Sequence, residues 1–170
     1  MKQPLVFVGL GSNLEHPRRQ IARAVRALQR MPRTRLIAVS PNYVTAPLGG
    51  ESPQPDYVNA VAVLATALRP RALLASLLAI ERRQRRRRDP RGRRNAPRTL
   101  DLDLLLYRGL RLDVPGLALP HPRMHERAFV LRPLTDVAPA ATIPGRGLAR
   151  RFLPSVRGQR IARTRTHVLR

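Results

Sequence analysis

Asp101 and Asp103 stand two residues apart in a chain that has only 10 acidic residues against 33 lysines and arginines. They close the run Arg98-Thr99-Leu100-Asp101-Leu102-Asp103. A strand repeats every two residues, so both carboxylates face one side while Leu100, Leu102 and Leu104 face the other. Aspartate is depleted in strands, and like charges on one face repel. A bound cation relieves that repulsion. Only oxygen ligands are on offer, and Mg²⁺ commonly combines one or two carboxylates with substrate phosphates. The spacing favours a metal site over a solvated strand face. Directly upstream, Arg82 to Arg98 contains ten arginines and one acid, Asp89. Guanidiniums pair with phosphate bidentately. Carboxylates beside such a cluster suit a metal-bound polyphosphate, which implies phosphoryl or pyrophosphoryl transfer.

Other residues carry weaker signals. His121 sits between Pro120 and Pro122 on an extended turn and could donate to a phosphate, although a structural hydrogen bond is the commoner role. Tyr57 and Asn59 share a strand face, where Asn can read the edge of a planar heterocycle. Glu81 has the bland role of an i,i+4 partner to Arg85. Several chemistries are excluded. The chain has no cysteine, so thiol nucleophiles and zinc-thiolate sites are out. No serine lies in a nucleophile-elbow pattern. Both the P-loop and the dinucleotide glycine fingerprint are absent.

The elements that must position these residues are legible from periodicity. Leu5 to Leu10 reads as a buried strand ending in the turn residues Gly11-Ser12-Asn13. Pro17 opens a helix to about Arg30, with Ile21, Val25 and Leu28 on its inner face and Arg18, Arg19, Arg23 and Arg26 elsewhere. Arg35 to Thr45 reads as a second strand kinked at Pro41, and Tyr57 to Thr66 as a third. Pro70 opens a second helix with Leu73, Leu74, Leu77, Leu78 and Ile80 inside. Leu100 to Tyr107 is the fourth strand, with Leu110 to Val114 expected beside it as a hairpin. Glu126 to Thr135 reads as a third helix. The order β-α-β-β-α-β followed by a helix predicts an α+β, ferredoxin-like antiparallel sheet with helices packed on one face. A single domain over 1–145 is expected, with 146–170 as a weakly ordered basic tail.

The net charge of +23 suits a polyanionic partner or substrate, although arginine-, alanine- and proline-rich composition also follows from GC-rich codons. No signal-peptide pattern opens the chain and no stretch reaches membrane-span length, so a cytoplasmic location is expected.

Together these motifs resemble the 6-hydroxymethyl-7,8-dihydropterin pyrophosphokinase family of folate biosynthesis. The likeness runs from Val6 to about Pro144. It is carried by Gly9-Leu10-Gly11-Ser12-Asn13-Leu14, by Tyr43 through Thr45-Ala46-Pro47-Leu48-Gly49, and by Gln54-Pro55-Asp56-Tyr57-Val58-Asn59. Further landmarks are Ile80-Glu81-Arg82, the Pro97 to Asp103 run, and Pro120-His121-Pro122-Arg123-Met124-His125-Glu126-Arg127-Ala128-Phe129-Val130-Leu131. The resemblance implies transfer of diphosphate from ATP to the pterin hydroxymethyl group with release of AMP. It implies that Asp101 and Asp103 hold two Mg²⁺ ions, and that Arg98 and His121 act at the phosphates with Arg86, Arg88 and Arg94. Arg127 would lie at the nucleotide side, and Glu81 and the backbone near Leu104 would hold adenosine. Thr45, Ala46, Pro47, Leu48, Tyr57, Asn59 and Phe129 would hold the pterin. Asn95 stands where some members place a tryptophan.

The rival of another class is a basic RNA-binding module on the same fold. Such modules expose sheet aromatics for base stacking, whereas these strands offer mainly Val, Leu, Ala and Asp, with Tyr57 the exception. The resemblance implies ATP and the reduced pterin as partners, and no membrane, no functional nucleic acid and a monomeric chain are expected.

Overall fold

The structure, a computed structural model, describes residues 3–48, 53–84 and 97–164. Its main sheet is antiparallel and is built on β4 (Tyr57–Thr66) and β1 (Leu5–Ser12). β5 (Asp101–Tyr107) lies on the other side of β1. The outer edge of β4 carries two strands in succession, β2 (Thr34–Val39) and β3 (Tyr43–Thr45). Helices α1 (Pro17–Gln29) and α2 (Pro70–Arg83) make the crossovers. This is the expected ferredoxin-like arrangement.

Strand alternation divides the side chains between two cores. Val6, Val8 and Leu10 of β1, Ala60, Ala62 and Leu64 of β4, and Leu102 and Leu104 of β5 meet Ile21, Val25 and Leu28 of α1 and Leu73, Leu77 and Ile80 of α2. Each fully buried leucine or isoleucine there contributes roughly 1.5–3 kcal/mol of transfer free energy. The opposite face is covered by α3 (Ala128–Val137). Its Val130, Leu131 and Leu134 pack on Val61, Leu105 and Leu106. α3 covers only part of this face, and the uncovered part forms the cleft described below.

Four expectations need correction. The strand read as Arg35 to Thr45 is two strands, because Pro41 has no N–H to give and Ser40 diverts to its own bonds with β4. Leu110 to Val114 does not pair with β5. Its ordered part, β6 (Leu112–Val114), pairs with β7 (Leu117–Leu119) around Gly116, whose φ of 79° suits glycine. The third helix starts at Ala128 rather than Glu126, after a 3₁₀ turn at Met124–Glu126. The region expected to be a weakly ordered tail is structured as far as it is described. β8 (Thr142–Ile143) pairs with β9 (Gly147–Leu148), two 3₁₀ turns follow, and β10 (Ile161–Arg163) adds to β3 at the sheet edge. Few acids and little periodicity hid this segment, yet Ala149 and Val156 are buried against the second core. No described helix is long and apolar enough to cross a membrane.

Candidate active site

The cleft floor is made by residues of odd number on three neighbouring strands. Register places Gly11 opposite Asn59 and Asp101, and Gly9 opposite Asp103. Alternation therefore sends Asn59, Asp101 and Asp103 to one face, as their spacing predicted. Gly9 and Gly11 keep the floor low. A Cβ on Gly11 would stand 3.1 Å from Asn59 Oδ1, and one on Gly9 would touch the Leu105 side chain at 3.5 Å.

A β-bulge sets the position of His121. Val8 pairs with Leu104 but Phe7 pairs with Leu106, which leaves Leu105 as the extra residue. The freed Leu105 carbonyl accepts the His121 backbone N–H at 2.8 Å. The Arg123 N–H then donates to His121 Nδ1 at 3.2 Å. With Nδ1 accepting, the neutral ring carries its proton on Nε2. Burial, and after it the Arg127 charge, pushes His121 down to about 4. The imidazole is therefore a neutral donor at physiological pH.

The charged groups are tied together. Arg98 Nη1 donates to Asp101 Oδ2 at 2.5 Å. Burial, and then the Asp101 carboxylate, pushes Asp103 up to about 7, against the pull of Arg127 and Arg98. Arg127 lies with its guanidinium 5.5 Å from the centre of the Phe129 ring, a cation–π pairing. One cavity of about 220 Å³ is lined by Arg98, Asp101, Asp103, His121 and Arg127 together with Thr45, Ala46, Pro47, Leu48, Tyr57, Asn59 and Phe129. Of the described residues, the structure thus brings Arg98, Asp101, Asp103, His121 and Arg127, expected at phosphate, and those expected at the heterocycle to one place.

Glu81 and Leu104 line a second, adjoining cavity that shares Asp101, Asp103 and His121 with the first. Glu81 is buried and accepts the Leu102 N–H at 2.7 Å, fastening α2 to the carboxylate strand. Its expected i,i+4 partner, Arg85, lies outside the described residues. Leu74 and Leu78, expected in the core, are half-buried along this second cavity. Arg85, Arg86, Arg88, Arg94 and Asn95 lie outside the described residues.

Sequence reasoning undervalued Asn13, which it took as a turn former. Asn13 is 2% exposed. Its Nδ2 donates to Gln54 Oε1 at 3.0 Å and to the Pro55 carbonyl at 3.1 Å, while its Oδ1 accepts the Arg98 N–H at 2.9 Å. One side chain thereby joins the end of β1, the loop before Tyr57 and the arginine beside Asp101. Gln54 in turn accepts from Tyr57 Oη at 3.2 Å. Asn59 Nδ2 donates to Thr45 Oγ1 at 2.8 Å, linking two residues expected at the heterocycle.

Chemically, the cleft combines oxygen donors able to take a hard cation, fixed cations and a neutral imidazole for phosphate, and an adjacent aromatic and amide-lined recess. Among the described residues no group of three or more His, Cys, Asp or Glu could hold a metal alone.

Comparison with known proteins agrees with this geometry. Residues 7–139 match the family described as 7,8-dihydro-6-hydroxymethylpterin-pyrophosphokinase (HPPK). The 2-amino-4-hydroxy-6-hydroxymethyldihydropteridine pyrophosphokinase of Pseudomonas aeruginosa is 54% identical over 139 residues, 82% of this chain and 83% of its own length. The enzyme of the same name from Haemophilus influenzae is 43% identical over 138 residues, 81% of this chain and 84% of its own. Among solved structures, wild-type Plasmodium falciparum HPPK-DHPS with SDX-DHP superposes with a TM-score of 0.68 at 13% identity. That match covers 90% of this chain but 44% of the HPPK-DHPS chain, and it shows the shared fold. From its sequence match and the fold that carries the cleft, the chain belongs to the 7,8-dihydro-6-hydroxymethylpterin-pyrophosphokinase family.

Proposed function

We propose that this protein transfers the terminal diphosphate of ATP to the hydroxymethyl oxygen of 6-hydroxymethyl-7,8-dihydropterin, releasing AMP, in folate biosynthesis. The observation that carries the reading is the single cavity in which Asp101, Asp103, Arg98, His121 and Arg127 meet Thr45 to Leu48, Tyr57, Asn59 and Phe129. The hydroxyl oxygen forms a bond to the β-phosphorus and the bond to the α–β bridging oxygen breaks. AMP takes that oxygen, and the hydroxyl proton passes to solvent.

The chain's residues have distinct tasks in this reading. Arg98 and Arg127 neutralise charge that moves toward the bridging oxygen, and His121 donates from Nε2. Asn59 and the Thr45–Leu48 segment hold the pterin edge, and Phe129 packs on its ring. The recess and the charged floor share walls, so the two substrates are held close and the reaction gains from orientation. Burial drives Asp103 toward protonation and Asp101 adds to it, so this pair gains by holding a divalent cation. Mg²⁺ suits their oxygen donors, and it would supply charge neutralisation at the polyphosphate when bound. Two such ions fit the resemblance, as do adenosine contacts from Glu81 and the backbone near Leu104 and phosphate contacts from Arg86, Arg88 and Arg94. A monomer in the cytoplasm completes the reading.

The test is product identity. Reaction of ATP with the pterin should give AMP and pterin diphosphate in equal amounts. Asp101→Ala and Asp103→Ala should each abolish that turnover while remaining folded by circular dichroism. Formation of ADP and a pterin monophosphate, or full activity in either variant, would overturn it.

A further inference from the structure

The matched family region ends at residue 139, yet the segment beyond it reaches back to both walls of the pterin recess. β10 pairs with β3 in the register Ile161 opposite Thr45, Ala162 opposite Val44 and Arg163 opposite Tyr43. Just before the strand, the Arg160 carbonyl accepts the Ala46 N–H at 3.3 Å. The Arg160 guanidinium holds Asp56 through both carboxylate oxygens. Thr45 and Ala46 form one wall of the recess, and Asp56 precedes Tyr57 on another.

The neighbouring side chain, Gln159, reaches the opposite wall. Its Oε1 accepts the Ala128 N–H at 2.7 Å, and its Nε2 donates to the Glu126 carbonyl at 2.7 Å. Ala128 is the first residue of α3, whose N-terminus has no cap from its own flanking side chain. Helix N-termini leave such N–H groups without partners, and Gln159 satisfies one from 31 positions away. Ala128 lies between Arg127 and Phe129, both of which line the cleft. At its far end β10 is tied to α3 again: Asp136 accepts from Tyr43 Oη at 2.7 Å and lies 3.9 Å from Arg163 Nη1.

We infer that Gln159 is a positioning residue for the pterin: together with β10 it braces the Thr45–Ala46 wall against the Arg127–Phe129 wall and fixes the width of the recess. This inference rests on the proposed pterin pocket. The brace acts through hydrogen bonds to backbone rather than by touching substrate. Its bonds fall on Thr45–Ala46 and on the Glu126–Ala128 turn, so its removal should weaken pterin use first and reach the phosphate side only through Arg127. The Arg160–Asp56 pair is exposed and contributes little alone. The weight falls on Gln159, whose two bonds are made at a helix end.

The experiment compares the full chain with Gln159→Ala, Gln159→Glu and, as a control, Arg157→Ala. Gln159→Ala should raise KM for pterin about five- to tenfold, the equivalent of about one hydrogen bond. KM for ATP should stay within about twofold, and kcat, which Arg127 serves, should fall by less than the pterin KM rises. Amide exchange at Ala46 and Ala128 should quicken together, although only Ala128 loses its direct partner. Gln159→Glu keeps an acceptor for the Ala128 N–H and should restore part of the pterin KM, and Arg157→Ala should change nothing. An unchanged pterin KM in Gln159→Ala, or faster exchange at Ala128 alone, would overturn the brace while leaving the pyrophosphokinase reading intact. If the parent chain turns over no pterin, that reading fails, and the exchange at Ala46 decides whether the brace exists.

Discussion

Asn13→Ala is the substitution that most directly probes how the cleft is held together. It deletes three hydrogen bonds, to Gln54 Oε1, to the Pro55 carbonyl and from the Arg98 N–H, at a residue that is 2% exposed. The backbone bond from Asn13 N–H to the Arg98 carbonyl, 3.1 Å, survives. A typical buried hydrogen bond is worth about 1 kcal/mol net, so the loss is about 3 kcal/mol, rising where the stranded Arg98 N–H finds no water. For a chain of this size that corresponds to a fall in Tm of roughly 6–12 °C. The functional loss should be broader than that of Gln159→Ala, because Asn13 joins the loop before Tyr57 to Arg98. KM for pterin should rise and kcat should fall about tenfold or more. Urea unfolding with an unchanged m value, read beside steady-state kinetics, tests both parts. Stability within about 0.5 kcal/mol of the parent, or unaltered kcat in a variant that has lost stability, would refute the argument that Asn13 positions Arg98.

Three further outcomes follow from the same geometry. Gly11→Ala places a methyl 3.1 Å from Asn59 Oδ1, so it should raise KM for pterin with little change in Tm; an unaltered KM would show that Asn59 can move without consequence. His121 has a folded pKa of about 4 against an ordinary 6.5, so the stability gained by keeping it neutral is full above pH 6.5 and is lost as pH falls through about 4. Its imidazole NMR signals should therefore hold steady from pH 8 to pH 5, and a midpoint near 6.5 would contradict the buried, neutral ring. Glu81→Ala strands the buried Leu102 N–H and should cost roughly 2–3 kcal/mol by urea unfolding; a loss below about 0.5 kcal/mol would place that carboxylate's role elsewhere.

Alternation made much of the site readable. The i,i+2 spacing of Asp101 and Asp103, and of Tyr57 and Asn59, is enough to place each pair on one face once the strands are recognised, and β4 runs over Tyr57–Thr66 as its pattern predicts. Three features were out of reach for physical reasons. A bulge is a mismatch between two strands, so Leu105 leaves no mark in its own local pattern. Asn13 reads as a turn former because its value comes from partners 41, 42 and 85 positions away. The ordering of residues 147–163 depends on backbone pairing with β3, on one glutamine side chain and on scattered contacts of Ala149, Phe152 and Val156 with the second core, none of which produces regular hydrophobic periodicity. Leu74 and Leu78 show the converse. Helical spacing marked them as core, and Leu74 does pack against the first core, but both are half-buried and border a cavity that the sequence does not reveal.

The central claim is tested most directly by AMP release from ATP, measured with and without 6-hydroxymethyl-7,8-dihydropterin, in Mg²⁺ and in EDTA. The account predicts AMP only when pterin and Mg²⁺ are both present. AMP formed without pterin, turnover that persists in EDTA, or no AMP from well-folded protein would contradict it.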